Sequence, residues 1–293
     1  MDIGDYYSKS FKGFKENPKL ALPTLVGYVV IYVALFIMGA ILVFGVLGTD
    51  LLTNATIGNF NPSSINYTSL LSYIFLLYGV MIILGLIVSS YMSAATIGMS
   101  KSIIKGNMPD LGVGIKNGNK YFLKIIVVSI LIGLILFLSL IFGFGGLLVD
   151  RAYGLFPVLT IIGILITLFI WVVCLLFIFA NQSIVVGKES VIGSLKESYK
   201  LFRKNIFDVI GVLIINFIAM VCIVAVLTLV NLFLGIIPIL GSILGLILGI
   251  IVYSLMVPYF TMVLTYLYLD KKDVIFQEHS PEPVISQEPE YVN

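Results

Sequence analysis

The chain has 293 residues, 60% of them hydrophobic and only 11% charged, with a mean hydropathy of +1.13. A soluble domain carries about a quarter charged residues, so the composition excludes a soluble protein and predicts an all-α, polytopic membrane protein. The balance of 17 Lys plus Arg against 15 Asp plus Glu makes no case for a nucleic-acid partner; the expected partner is the lipid bilayer.

Residues 1–17, MDIGDYYSKSFKGFKEN, form a first amphipathic segment. Ile3, Tyr7, Phe11 and Phe14 share a helical face, with Lys9, Lys12 and Lys15 elsewhere. Residues 1–19 lack the short apolar core and small-residue cleavage site of a signal peptide. Residues 20–48 carry no charge and are long enough to cross a hydrocarbon core of about 30 Å. A polar loop over 49–69 holds two glycosylation sequons, at Asn54 and Asn66. The second span is expected over 70–99, with Gly85, Ser89 and Ser93 as a small-residue stripe for a neighbouring helix.

Residues 100–120 read as a second interfacial segment, weakened as a helix by Gly112, Gly114 and Gly118. Spans three and four follow over 121–148 and 155–180, joined by a turn holding Asp150 and Arg151. Asn181 and Gln182 are expected to cap the fourth span. Residues 187–206 are the clearest amphipathic helix. Val191, Leu195, Tyr199, Phe202 and Ile206 fall on one face; Lys188, Lys196, Lys200, Arg203 and Lys204 fall mostly on others. Such a helix is expected to lie in the interface, apolar face in the acyl boundary and lysines at the headgroups. Spans five and six follow over 206–234 and 238–269, with Pro238 starting the last and Pro258 inside it. The tail, 271–293, is acidic, contains proline and is predicted to be disordered.

Every Lys and Arg except Arg151 falls on the N-terminus, the second-to-third or fourth-to-fifth connections, or the tail. The positive-inside rule then predicts a multi-pass cell-membrane protein with both termini in the cytoplasm. Six spans give the required parity. An internal repeat supports three units. Shifting 10–17 by 188 sets SFKGFKEN on SYKLFRKN, and shifting 106–122 by 81 sets Gly106 on Gly187 and Tyr121 on Phe202. Each unit is an interfacial amphipathic helix followed by a two-helix hairpin.

Residues 183–206, SIVVGKESVIGSLKESYKLFRKNI, resemble the membrane domain of the glycerophosphodiester phosphodiesterases and related prokaryotic six-span proteins. The opening segment SFKGFKENPKLALP is similar to the same group. The resemblance implies a six-span fold in a membrane. It implies no phosphodiesterase activity, because the catalytic barrel of those enzymes has no counterpart here.

For membrane-surface binding the candidates are Lys12, Lys15, Lys116, Lys120, Lys196, Lys200, Arg203 and Lys204, which would face anionic lipids on the cytoplasmic side. Gly241, Gly245 and Gly249 form a helix-packing stripe, within the chain or between two copies. Two polar residues near the fifth span stand out. Asp208 is expected to ion-pair with Arg203 and Lys204. Asn216 is expected to bond to another helix, with contact to a solute as the alternative. Cys174 and Cys222 read as small buried apolar residues. No metal cluster, paired buried acids or nucleophile motif is present in the sequence, so no enzyme activity and no cofactor are expected. The functional reading is an integral membrane protein that organises or handles lipids or scaffolds a membrane protein partner. The alternative is a small-solute transporter or channel.

Overall fold

The computed structural model describes residues 2–46, 67–108, 110–154, 157–237 and 240–277. The sequons at Asn54 and Asn66, the Pro238 turn and the tail beyond Gln277 lie outside the described residues.

Among the described residues the chain is helical throughout, with six helices long and apolar enough to cross a membrane. Helix α1, Ile3–Glu16, starts in a capping box between Asp2 and Asp5. A 3-10 turn, Pro18–Ala21, leads into α2, Leu22–Val46. Helix α3 is Tyr67–Ile104 and α4 is Leu111–Tyr153. Helix α5, Val158–Cys174, gives way to a 3-10 turn, Leu175–Phe177, and then to the short α6, Ala180–Val185. The amphipathic α7 is Val191–Lys204, α8 is Ile206–Leu234 and α9 is Leu240–Gln277.

The three expected hairpins are present: α2 on α3, α4 on α5, and α8 on α9. Helices α2, α3 and α9 pack on one another, and α4 joins them through α3. Three expectations about boundaries change. The segment 111–120 is no separate interfacial helix. It is the first turns of α4, whose 43 residues make about 65 Å of helix, twice a hydrocarbon core. The fourth span is not continuous but breaks at Leu175–Phe177. Residues 271–277, expected to be disordered, continue α9.

The glycines that weakened the 100–120 reading are what packs it. A side chain at Gly114 would press on Met99 at 2.9 Å, and one at Gly118 on the Tyr91 ring at 2.6 Å. Gly98 does the same from α3, against Asn117. The expected stripe is not used in this way: Gly85 has nothing within 4 Å and Ser89 is exposed. Cys222 is exposed as well, not buried as expected.

The repeat is visible in the packing. In α1 the buried residues are Tyr6, Ser10 and Gly13; in α4 they begin Gly114, Gly118 and Tyr121; in α7 they include Ser194, Ser198 and Leu201. Each set steps by four and then three. Asn17 and Asn205 end α1 and α7 alike, each side-chain amide donating to the carbonyl four residues back, at 2.9 and 3.0 Å. The packing aligns α4 with α7 at a shift of 80, one residue from the shift suggested by the letters alone.

The core gathers where these elements meet the span ends, around Tyr6, Ile97, Tyr121, Phe179, Ile184, Phe202 and Tyr268. Leu20, Met99 and Met262 form a smaller cluster beside it. Away from it, Phe36, Phe75, Phe169 and Phe217 point outward, as suits helices whose solvent is hydrocarbon.

Candidate functional site

Helix α7 crosses the end of the bundle where the basic residues collect. Ser190 caps its start, its Oγ accepting from the Gly193 N–H at 3.1 Å. Its docked face is the expected apolar face turned toward its serines. Val191, Leu195 and Phe202 pack on the core, but Tyr199 and Ile206 are exposed, and Ser194 and Ser198 are fully buried. Ser198 accepts from the Phe179 N–H at 3.0 Å and donates to the Leu176 carbonyl at 2.9 Å. Those are backbone groups freed by the break after α5. A serine therefore satisfies what an apolar residue would leave unpaired, at the place where leaving them unpaired costs most.

Glu197, on the flank of α7, fixes the helix to α6 and α9. Lys272 Nζ lies 2.5 Å from its Oε1, Tyr268 Oη donates to the same oxygen at 3.1 Å, and Ser183 donates to Oε2. Both charged side chains are largely buried. The outward face of α7 carries Ile192, Lys196, Tyr199, Lys200, Arg203 and Lys204, all exposed. Arg203 Nη1 lies 3.5 Å from Tyr199 Oη. Lys12, Lys15, Lys116 and Lys120 are exposed on α1 and α4, and the Lys120 amine sits 5.2 Å over the Tyr121 ring.

The two polar residues of the fifth span belong to the dock for α1. Asp208 pairs with Lys271 at 2.6 Å; the expected partners Arg203 and Lys204 give way to a residue of α9. Tyr7 Oη lies 2.8 Å from Asn216 Oδ1 and 3.0 Å from the Val212 carbonyl, and Tyr6 Oη donates to Asp270 at 2.7 Å. The Tyr259 hydroxyl reaches the Tyr7 carbonyl at 3.4 Å. The sequence places Tyr7 on the apolar face of α1 without its hydrogen bonds, and does not single out Tyr6, Glu197 or Asp270. The two acids sit among lysines that mask them.

Burial, then the hydrogen bond and charge of Asp270, hold the Tyr6 phenol well above its usual range. Burial, and then Tyr259, push Tyr7 up to about 12. A phenol whose folded pKa exceeds its unfolded value binds its proton more tightly when folded. Its contribution is whole below about pH 10 and is lost as pH rises toward the folded value. The melting temperature in detergent is expected to fall above about pH 10, and Tyr7→Phe to fall less steeply from a start lowered by about 1 kcal/mol. Parallel alkaline limbs for the two proteins would remove Tyr7 from the account.

Gly241 and Gly245 face the end of α8. A side chain at Gly241 would overlap the Leu234 carbonyl, and one at Gly245 the Asn231 amide, whereas Gly249 has nothing within 4 Å. Asn181 and Gln182 are not simple end-caps. The Asn181 amide reaches Ser93 of α3 at 3.4 Å, and Gln182 is buried in α6.

Beside the dock runs an apolar groove of about 610 Å³ between α2, α3 and the start of α4. It is lined by Leu22, Val26 and Val30, by Ile87, Tyr91 and Met92, and by Leu111, Ile115 and Phe122. Lys19, in the 3-10 turn before Leu22, and Lys116, next to Ile115, are both exposed. No group of His, Cys, Asp or Glu among the described residues could hold a metal ion. No family model, curated protein or solved structure matches the chain.

Proposed function

We propose that this is a non-enzymatic cell-membrane protein, termini in the cytoplasm, that holds an anionic phospholipid of the cytoplasmic leaflet. The observation that carries the reading is the groove between α2, α3 and α4. It lies on helices of membrane-spanning length, so water is a poor occupant and an acyl chain a good one. Its volume is within the usual range of about 300–1,000 Å³ for ligand sites. Lys19 and Lys116, exposed and close along the chain to the lining residues Leu22 and Ile115, suit an anionic headgroup. Asn216, the residue singled out for solute contact, is taken up by Tyr7, which supports lipid holding over transport.

Val26 and Ile87 are exposed on the groove wall, so a tryptophan at either fills it without displacing packed atoms. Native mass spectrometry of protein extracted with its own lipids is expected to show about one tightly held phospholipid. Val26→Trp and Ile87→Trp are expected to reduce that occupancy severalfold while the protein stays folded. Unchanged lipid in both variants would end this reading.

A further inference from the structure

We propose that the loop Val186–Glu189 and the lysines gathered on it form a site for a phosphate group, either a lipid phosphomonoester or free phosphate. The proposal stands apart from the groove, because it uses other residues. Helix α6 ends with the Val186 N–H on the Gln182 carbonyl at 2.7 Å and the Glu189 N–H on the Ser183 carbonyl at 3.2 Å. Between them the chain turns through Lys188 at φ 62, a left-handed conformation that glycine normally supplies at a helix stop. The glycine is one residue early. A side chain at Gly187 would meet the Ser183 carbonyl and Tyr268 Oη at 2.6 Å and Lys272 Nζ at 2.8 Å. Close approach of α9 thus claims the glycine, and the strained position is left to a lysine.

Amines from three spans converge on these four residues. Lys101 of α3 donates to the Val186 carbonyl at 3.0 Å, Lys272 of α9 lies against Gly187, and Lys124 of α4 donates to the Glu189 carbonyl at 3.1 Å. Lys105, Lys188 and Lys272 all act electrostatically on Lys101. The acids nearby are Glu197, engaged by Lys272, Tyr268 and Ser183, and Glu189, which acts on Tyr268. Among the described residues no carboxylate pairs with Lys101, Lys105 or Lys188. Lys101 and Lys124 are part-buried, Lys105 and Lys188 exposed at the mouth; ammonium groups carry only donors, so the set is completed by an anion rich in acceptors. A phosphate dianion offers both the charge and the oxygens.

The test uses full-length protein in detergent, titrated with inorganic phosphate against chloride at fixed ionic strength, with the melting temperature as readout. A parallel series places the protein in phosphatidylcholine nanodiscs containing phosphatidic acid or, as the phosphodiester control, phosphatidylglycerol. A saturable rise with inorganic phosphate assigns the site to free phosphate. A rise with phosphatidic acid alone assigns it to a lipid headgroup. Either response is expected to weaken about fivefold per lysine removed in Lys105→Gln/Lys188→Gln, both exposed positions, and not in Arg151→Gln, exposed in the last turn of α4. Lys188→Gly, which frees the strained backbone, is expected to melt higher without ligand and respond less to it. No response to either phosphate source, or an equal loss per charge removed in Arg151→Gln, would overturn the proposal.

Discussion

Gly241→Leu is expected to abolish recovery of folded, monodisperse protein, while Gly249→Leu leaves it at the wild-type level. The two glycines belong to one stripe and differ in sequence only by position. At Gly241 the first side-chain carbon would collide with the Leu234 carbonyl, a backbone atom at the end of the partner helix that cannot rotate away. Overpacking ordinarily costs about 1–3 kcal/mol. A collision with backbone in the α8–α9 hairpin belongs at or above that upper end. Gly249 meets open space, so its leucine has only lipid to displace. Gly245→Leu is expected to fall between them, since the Asn231 side chain that it meets can move. Size-exclusion profiles and melting temperatures of the three variants decide the matter. If Gly249→Leu changed the oligomeric state and Gly241→Leu did not disturb folding, the stripe would be an interface between copies instead.

The second large effect is expected at the buried ion pair. Lys272→Met leaves the Glu197 carboxylate with only the Tyr268 and Ser183 hydroxyls in a pocket where both charged side chains are less than one-fifth exposed. Removing one partner of such a pair costs about 3–5 kcal/mol. The remaining solvent contact argues for the lower end. Glu197→Gln keeps one oxygen acceptor, and its new N–H faces a hydroxyl that can turn to accept, so it is expected to cost less. Combined with Lys272→Met it is expected to restore most of the lost stability, because no buried charge is left unpaired. A double-mutant cycle by thermal or denaturant unfolding reads this directly. Additive losses would show that Lys272 and Glu197 act independently.

Both sites show what hydropathy could and could not reveal. The spans were legible because uncharged runs such as 20–48 have one stable solution in a bilayer. Helices α1 and α7 were legible from their three-and-four spacing. The docked face of α7 was legible only in part: Val191, Leu195 and Phe202 pack as their spacing suggests, but Ser194 and Ser198 are buried beside them while Tyr199 is exposed. What recommends a serine there is an unwound stretch of another helix, which no local pattern of α7 can announce. The second unit was misread for a related reason. Gly114 and Gly118 argue against a helix in isolation, yet they are the contact that lets α4 lie against α3. Asn216 bonds to another helix as expected, but neither its partner nor that of Asp208 was legible, since Tyr7 and Lys271 lie 209 and 63 residues away along the chain.

The bonds that hold α1 carry a consequence for biogenesis. Tyr6 meets Asp270 across a sequence separation of 264 residues. At about 5–20 residues per second, the helix made first waits tens of seconds for its partner to leave the ribosome. Its docking is therefore a final event in assembly, possible only once all three hairpins have been threaded into the bilayer. A half-made chain presents the same helix undocked, its two phenols in water, which gives quality-control machinery a local signature of incomplete insertion.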